Sequence, residues 1–170
     1  DMKGGKPTLI MDTKEIHLEG DYRVRGGLAQ PFNKGKYIMV SVTPKVPTPR
    51  RQKIEPDKSF ELELWKWDDE ISQSRQRSER VSRPGEPRYV YHVDSKKCVL
   101  VAPSHMNNIY SPTCDEYNYV IIADETPYRK LTDWRDGNAA DYYLVHLETG
   151  ERKLVFSDLR DRPVWSPNRK

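Results

Sequence analysis

The chain has 170 residues, of which 35% are hydrophobic and 32% charged, and its formal net charge is +3. This length fits one domain with a moderate core. The 10 Tyr, 4 Trp and 3 Phe exclude a wholly disordered chain, which would be poor in aromatic residues. Acidic and basic residues are interspersed, so the mild positive charge predicts a solvated surface and no nucleic-acid partner. No apolar run approaches the about 20 residues of a membrane-spanning helix, and we therefore expect no membrane span.

The cysteines and histidines show no metal-binding pattern. Cys98 and Cys114 do not form a CxxC motif, and neither lies near a pair of histidines with metal-ligand spacing. Two free thiols and one disulfide both fit the sequence, so cysteine usage leaves the redox compartment open. The sequence predicts no metal site and no cofactor.

Apolar, aromatic and β-branched side chains recur in short segments, which predicts an all-β fold. The predicted strands lie at residues 6–13, 22–25, 36–43, 59–67, 88–103 with an internal turn, 119–123 and, with a weaker pattern, 128–134. Residues 142–156 are predicted as a hairpin in which Gly150 supplies the positive φ that a tight turn needs. Several of these strands are apolar on both faces, which is typical of strands covered on both sides.

Two polar segments interrupt this pattern. Residues 44–58 are rich in proline and basic residues, which favours an extended loop. Residues 68–87 contain only Ile71 and Val81 as large apolar side chains and cannot bury enough surface to offset the entropy of ordering. A surface helix over residues 69–79 and a solvated charged loop both fit the second segment.

The sequence also contains an internal repeat. His92 aligns with His146 at a separation of 54 residues, and Ser111-Pro112 aligns with Ser166-Pro167 at a separation of 55. A looser match places Gln30-Pro31 and Lys36-Tyr37 opposite Ser111-Pro112 and Asn118-Tyr119, with the extra length falling in the two polar insertions. Periods of about 40 to 50 residues with several short strands per unit are typical of β-propeller blades.

The predicted fold is therefore a partial β-propeller of about two four-stranded antiparallel blades, the lead-in of another, and long insertions. Residues 1–28 are expected to form N-terminal strands leading into the propeller. Residues 29–103 form the first blade with its insertions at 44–58 and 68–87, and residues 104–162 form the second. Residues 163–170 are predicted to begin a further, truncated blade.

Several motifs resemble those of one protein family. Residues 165–170 (WSPNRK) resemble the S-P-D-G-K lead-in of propeller blades, and residues 143–151 (YLVHLETGE) resemble the hairpin of the same blades. Residues 126–130 (TPYRK), with Trp134 soon after, and residues 64–69 (LWKWDD) look closest to a bacterial peptidase branch. The chain resembles the N-terminal propeller, with TolB-like blades, of bacterial prolyl-oligopeptidase-family serine peptidases, of which it would be a fragment.

The resemblance implies a two-part, extracytoplasmic (periplasmic) enzyme that acts on peptide substrates. In such an enzyme the propeller filters access to a C-terminal α/β-hydrolase domain with a Ser-Asp-His triad. No Gly-x-Ser-x-Gly occurs in this chain, so it has no nucleophile elbow and no catalytic residue is carried over. Hydrolase activity is expected of the full-length parent.

Two functions follow as alternatives. The first is a non-catalytic propeller segment that contributes to substrate access and to packing against the hydrolase domain. The second is a TolB-like propeller that acts as a protein-binding module. A nucleophile elbow further along the same gene would distinguish them. Exposed blade faces also predict self-association of this fragment.

Three tryptophans are candidates for a surface that contacts a peptide or a sugar: Trp65, Trp67 and Trp134. Core packing is the alternative for each, because aromatic side chains dominate protein cores. His92 and His146 occupy equivalent positions of the repeat, which favours a structural role for both over a role as ligands.

Overall fold

The structure is a computed structural model that describes residues 22–24, 30–44, 66, 68–69, 71–73, 85–106, 108–112, 116–135 and 137–166. The predicted strand at residues 6–13 lies outside these residues. The predicted strand at residues 59–67, apart from Lys66, and most of the two polar insertions also lie outside the described residues.

Nine strands in the described residues form two antiparallel sheets, which confirms the all-β prediction. They are β1 (Tyr22–Val24), β2 (Gln30–Phe32), β3 (Tyr37–Pro44), β4 (Arg88–His92), β5 (Lys97–Ala102), β6 (Asn108–Tyr110), β7 (Tyr119–Asp124), β8 (Ala140–His146) and β9 (Arg152–Leu159). Sheet 1 has the order β1-β3-β4-β5, and β2 pairs with β3 beside β1, so the sheet is four strands wide. Sheet 2 is the meander β6-β7-β8-β9. No closed sheet forms within this part of the chain.

The central strands are buried on both faces, as the sequence predicts. On β3, Val40 is buried on one face and Met39 on the other. On β7, Ile122 and Ile121 are buried on opposite faces in the same way. Successive side chains of a strand point to opposite faces, so an apolar run is stable only where both faces are covered.

The two sheets repeat one another in register. Tyr91 lies opposite Cys98 in the β4–β5 hairpin, and Val145 lies opposite Arg152, each 54 residues later, in the β8–β9 hairpin. Both hairpins carry a register shift at the equivalent position. A β-bulge locally bends a strand and increases its twist, so the two hairpins share shape as well as pairing.

The turns of the two hairpins also match. The backbone N–H of Val93 donates to the carbonyl of Lys36 at 2.9 Å, and that of Leu147 donates to Asn118 at the same distance. The left-handed turn position holds Lys96 (φ 54°) in sheet 1 and, 54 residues later, glycine (φ 74°) in sheet 2. The predicted repeat is therefore confirmed by pairing, bulge, turn and backbone hydrogen bond together.

The sheets stack face to face. Each sheet has a forward face and a back face, which correspond between the sheets through the repeat. The forward face of sheet 1 packs against the back face of sheet 2. The forward face contributes Tyr37, Met39, Val90, Val101 and Ala102, and the back face contributes Val120, Ile122, Val145 and Leu147. Each fully buried aliphatic side chain stabilises the fold by about 1.5–3 kcal/mol relative to an exposed one, so this contact forms the main core.

The predicted strand at residues 128–134 is wrong. Residues Thr126–Leu131 form a short 3-10 helix with proline in its first turn. Proline fits there because a backbone N–H at that position would have no acceptor within the helix. The Asp124 carboxylate accepts from the Thr126 N–H at 3.0 Å, and the Tyr128 hydroxyl donates to Asp141 at 2.6 Å. These contacts hold the segment against β8, and they outweigh the weak strand pattern.

Replacing Gly150 with alanine tests the contact between the sheets. A Cβ atom at Gly150 would lie 2.9 Å from Val99 Cγ1 and 3.2 Å from the Leu100 carbonyl oxygen, both on sheet 1. We expect Gly150→Ala to lower the free energy of unfolding by about 2–4 kcal/mol, from the left-handed conformation and the overlap together. Urea denaturation measures this change.

Gly137 provides the matched control, because it has a similar φ of 83° and nothing within 4 Å of its Cβ position. Gly137→Ala carries the conformational cost alone, about 1 kcal/mol. Equal losses in the two variants would show that Gly150 is not held against sheet 1.

Candidate docking surface

The forward face of sheet 1 holds the β8–β9 turn of sheet 2 through two polar contacts. The Tyr37 hydroxyl donates to Glu148 Oε1 at 2.8 Å, and His92 Nε2 lies 3.1 Å from the carbonyl oxygen of Leu147. A carbonyl oxygen only accepts, so Nε2 carries the proton in this contact. The two rings pack edge to face, with centroids 4.8 Å apart and planes at 63°. We call these two residues, and their equivalents in sheet 2, the Tyr–His pair.

The electrostatics keep the Tyr37 hydroxyl in its donating form. Burial is the main cause that raises its pKa, and the hydrogen bond to Glu148 and the negative charges of Glu148 and Asp94 raise it further. A tyrosine hydroxyl whose pKa lies above its ordinary value stays protonated at neutral pH. Tyr37 therefore presents a permanent donor to the turn.

Asn33 fixes the adjoining edge of the same contact. Its side-chain amide donates to the Tyr117 carbonyl and accepts from the Tyr117 N–H, both at 2.7 Å. Phe32 stacks on the Tyr117 ring with centroids 5.0 Å apart and an interplanar angle of 6°. Asn33 is buried and satisfied on both sides, so it acts as a cross-sheet clamp and not as a ligand group.

A polar cavity of about 580 Å³ opens beside the clamp. Its charged lining residues are Lys34, Lys36, Glu116 and Glu148. Lys34 forms an exposed ion pair with Glu116, and the hydrogen bond of that pair raises the Lys34 pKa. Positive and negative groups are equal in number, so the cavity has no net charge that would select an anion or a cation.

Sheet 2 carries a second Tyr–His pair with the same geometry. Tyr119 and His146 pack edge to face with centroids 4.8 Å apart and planes at 63°. Tyr119 is 45% exposed, whereas Tyr37 is 7% exposed. Val155, which corresponds to the fully buried Val101, is 44% exposed. The forward face of sheet 2 thus has the docking geometry of sheet 1 without a sheet on it in the described residues. It consists of Tyr119, Ile121, Leu144, His146, Val155 and Phe156.

The segment after β9 begins to cross this face. Trp165 packs against the apolar cluster around Ile121, and its indole N–H donates to the Tyr110 carbonyl at 3.1 Å. The Arg162 guanidinium lies 5.4 Å from the centre of the Tyr110 ring. The segment after β5 crosses the forward face of sheet 1 in the same way, with Met106 packed on the main core. The segment that follows each sheet thus packs against an apolar cluster that includes the forward face of that sheet.

The predicted tryptophan site is not assembled in the described residues. Trp134 lies in the turn after the 3-10 helix, is 86% exposed and belongs to neither core cluster. Core packing is therefore the wrong alternative for Trp134, and its role in binding stays a prediction. Trp65 and Trp67 lie outside the described residues.

The sequence predicts a structural role for His92 and His146, but it does not predict that each of them packs against a tyrosine. The structural role expected for His92 is confirmed by its contact with Leu147. Tyr37 and Tyr119 each begin the second strand of a sheet beside a matching histidine. The separation of 54 residues does not link these tyrosines, because the polar insertions lie between Tyr37 and His92, but the looser match that begins at residues 30–31 aligns Tyr37 with Tyr119.

Other chemistry is sparse in the described residues. Burial raises the pKa of the Cys98 thiol to about 11, so the thiol is protonated and a poor nucleophile at neutral pH. In the same residues, no group of three His, Cys, Asp or Glu side chains is placed to hold a metal ion. No helix in this part of the chain is long and apolar enough to cross a membrane. No family model, no curated protein and no solved structure matches the chain.

Valine substitutions at equivalent positions test the difference between the two forward faces. Val101→Ala removes two fully buried methyl groups from the main core, and we expect it to lower the free energy of unfolding by about 2 kcal/mol. Val155→Ala removes half-exposed groups and should lower it by about 0.5 kcal/mol or less. Urea denaturation of the 170-residue chain compares the two, and equal losses would contradict the assigned faces.

Proposed function

We propose that the chain is a non-catalytic segment of a β-propeller, with its two sheets as consecutive blades. In this proposal the parent is a serine peptidase of the prolyl-oligopeptidase type. The segment contributes to substrate access and packs against the hydrolase domain. One observation carries the proposal: the forward face of sheet 1 docks on the back face of sheet 2, and sheet 2 repeats that forward face down to its Tyr–His pair.

The stacking of unlike faces favours a propeller. A contact between two different faces of one repeat can recur between each repeat and the next. It builds a closed ring when the rotations between successive repeats add up to a full turn. A ring of four-stranded meanders with short edges is a propeller, which protects its edge strands by radial repetition. Two features of the sheets support this arrangement, because each is an antiparallel meander four strands wide and residues 103–107 join them.

The peptidase assignment rests on the motif resemblance of residues 126–130, 143–151 and 165–170. The structure supports the second of these motifs most directly. Leu147, Glu148 and Gly150 form the turn that touches sheet 1, so the Glu-Thr-Gly motif has a physical reason to recur in a stacked repeat. That reason holds for any stacked blade and is not confined to peptidases.

A protein-binding module of the TolB-like type is the second candidate. The observation that favours it is the large apolar exposure on β9, where Leu154, Val155 and Phe156 are each 44–50% exposed. Exposed apolar patches of this kind mark interaction sites. In this candidate the propeller binds another protein and has no hydrolase domain.

Labelling with a serine-directed fluorophosphonate probe separates the two candidates. In the peptidase proposal the full-length gene product is labelled on one serine outside residues 1–170, and the 170-residue chain is neither labelled nor active on peptide and ester substrates. Replacing the labelled serine with alanine is the control. A full-length product that is never labelled favours the binding module. A labelled serine within these residues contradicts both candidates.

A further inference from the structure

We infer that the forward face of sheet 2 binds a further four-stranded sheet of the same repeat and recognises the hairpin turn of that sheet. The turn offers a backbone carbonyl to His146, a carboxylate to Tyr119, and a glycine at its left-handed position. The inference rests on the stacked repeat of the proposed function and does not depend on the peptidase assignment.

The contact between the forward face of sheet 1 and the β8–β9 turn shows which groups a forward face binds. Tyr37 donates to a carboxylate oxygen of Glu148, and His92 contacts the backbone carbonyl just before it. The third element is steric, because Gly150 has no room for a Cβ beside Val99 and the Leu100 carbonyl. A carbonyl, a carboxylate and a glycine within four residues define the turn that fits.

The second forward face carries the same two side chains, and Tyr119 is 45% exposed there. The Tyr119 ring holds the edge-to-face position on His146 that Tyr37 holds on His92. His146 Nδ1 lies 3.2 Å from Thr149 Oγ1, so Nε2 is the ring nitrogen that faces an outside acceptor. Lys153 takes the place of Val99 under the incoming turn and adds a positive charge, which favours an acidic turn.

A second copy of this chain fits the face less well than a further repeat. The turn that a copy would offer is the β4–β5 turn, which has Asp94 at the carboxylate position. Its left-handed position holds Lys96, however. On sheet 2 the Leu154 carbonyl occupies the position of the Leu100 carbonyl that leaves Gly150 no room on sheet 1. Any side chain at the left-handed position would meet it, and the Lys96 ammonium would also face Lys153. The back face of sheet 1 is moreover already covered, since Val40 is 1% exposed and Val42 0%.

The path of the chain agrees with this occupant. Trp165 lies 55 residues after Tyr110 and sits on the forward face of sheet 2. The segment that precedes β6 sits on the forward face of sheet 1. The residues after β9 therefore approach the position that the first strand of a further sheet would take.

A hairpin peptide tests the inference in the 170-residue chain. The probe is a backbone-cyclised peptide of residues 142–156, which carries Glu148 and Gly150 and whose hairpin is first verified by cross-strand NMR contacts. We expect saturable NMR shifts of the chain centred on Tyr119, His146 and Val155. Tyr119→Phe should weaken binding about five- to tenfold, the value of one hydrogen bond of ordinary strength.

Two matched controls sharpen the test. Tyr128→Phe in the chain should leave the affinity for the peptide unchanged, because the Tyr128 hydroxyl donates to Asp141 and does not belong to the forward face. A peptide with Gly150→Ala should bind at least tenfold more weakly than the parent peptide, because the added Cβ meets a backbone oxygen.

Three results would overturn the inference. The first is a verified hairpin that causes no saturable shift at Tyr119 or His146 at millimolar concentration. The second is binding that Tyr119→Phe leaves unchanged. The third is a dimer of the chain, seen by sedimentation, that Asp94→Asn dissolves, since a second copy would then be the occupant. Fluorophosphonate labelling is independent of all three, so failure of the peptidase proposal is distinguishable from failure of this inference.

Discussion

The contact between the Tyr37–His92 pair and the turn after β8 is the constraint on which the arrangement of the sheets depends. Apolar faces attract one another over area, but hydrophobic burial is non-directional and does not by itself fix where one sheet lies on another. The hydrogen bonds to Glu148 and Leu147 are directional, and each requires the turn to sit at one place. With the turn fixed, Gly150 reaches Val99 and the back face of sheet 2 closes over the core.

The same constraint explains why the repeat is so regular. A sheet that binds the turn of one neighbour must keep a fixed spacing between its own strands, and its own turn must keep a fixed position. The bulge, the left-handed turn residue and the backbone hydrogen bond across the end of the hairpin all recur at equivalent positions. The side chains around them vary more, as in the change from Val99 to Lys153. Backbone geometry is thus kept where the stacking needs it, whereas the side chain beneath the turn differs between the two sheets.

Much of the fold is predictable from the sequence because the central strands are apolar on both faces and because the histidine repeat is regular. β3, β4, β5, β7 and the β8–β9 hairpin all follow from those patterns. The three-residue strands β2 and β6 do not, because neither shows the alternation that predicts the equally short β1. The expected pairing of residues 30–31 with Ser111-Pro112 is also one residue out. Gln30 lies opposite Met39 and Tyr110 opposite Ile121, so Gln30 corresponds to Tyr110.

The docking surface was harder to predict, because its partners are remote in sequence. Tyr37 and Glu148 lie 111 residues apart, and no local pattern links an aromatic strand residue to a distant turn carboxylate. Residue type alone points to the tryptophans as site residues, but Trp134 belongs to neither core cluster. Residue type indicates which side chains are able to bind, whereas the equivalence of positions between the two sheets indicates which of them do.

A double-mutant cycle between Tyr37→Phe and Glu148→Gln tests the central claim most directly. If the hydroxyl and the carboxylate hold the sheets in position, the two substitutions are coupled, and their interaction energy from urea denaturation should be about 1 kcal/mol. Strictly additive effects would contradict the account, because Tyr37 and Glu148 would then not be partners across the two sheets.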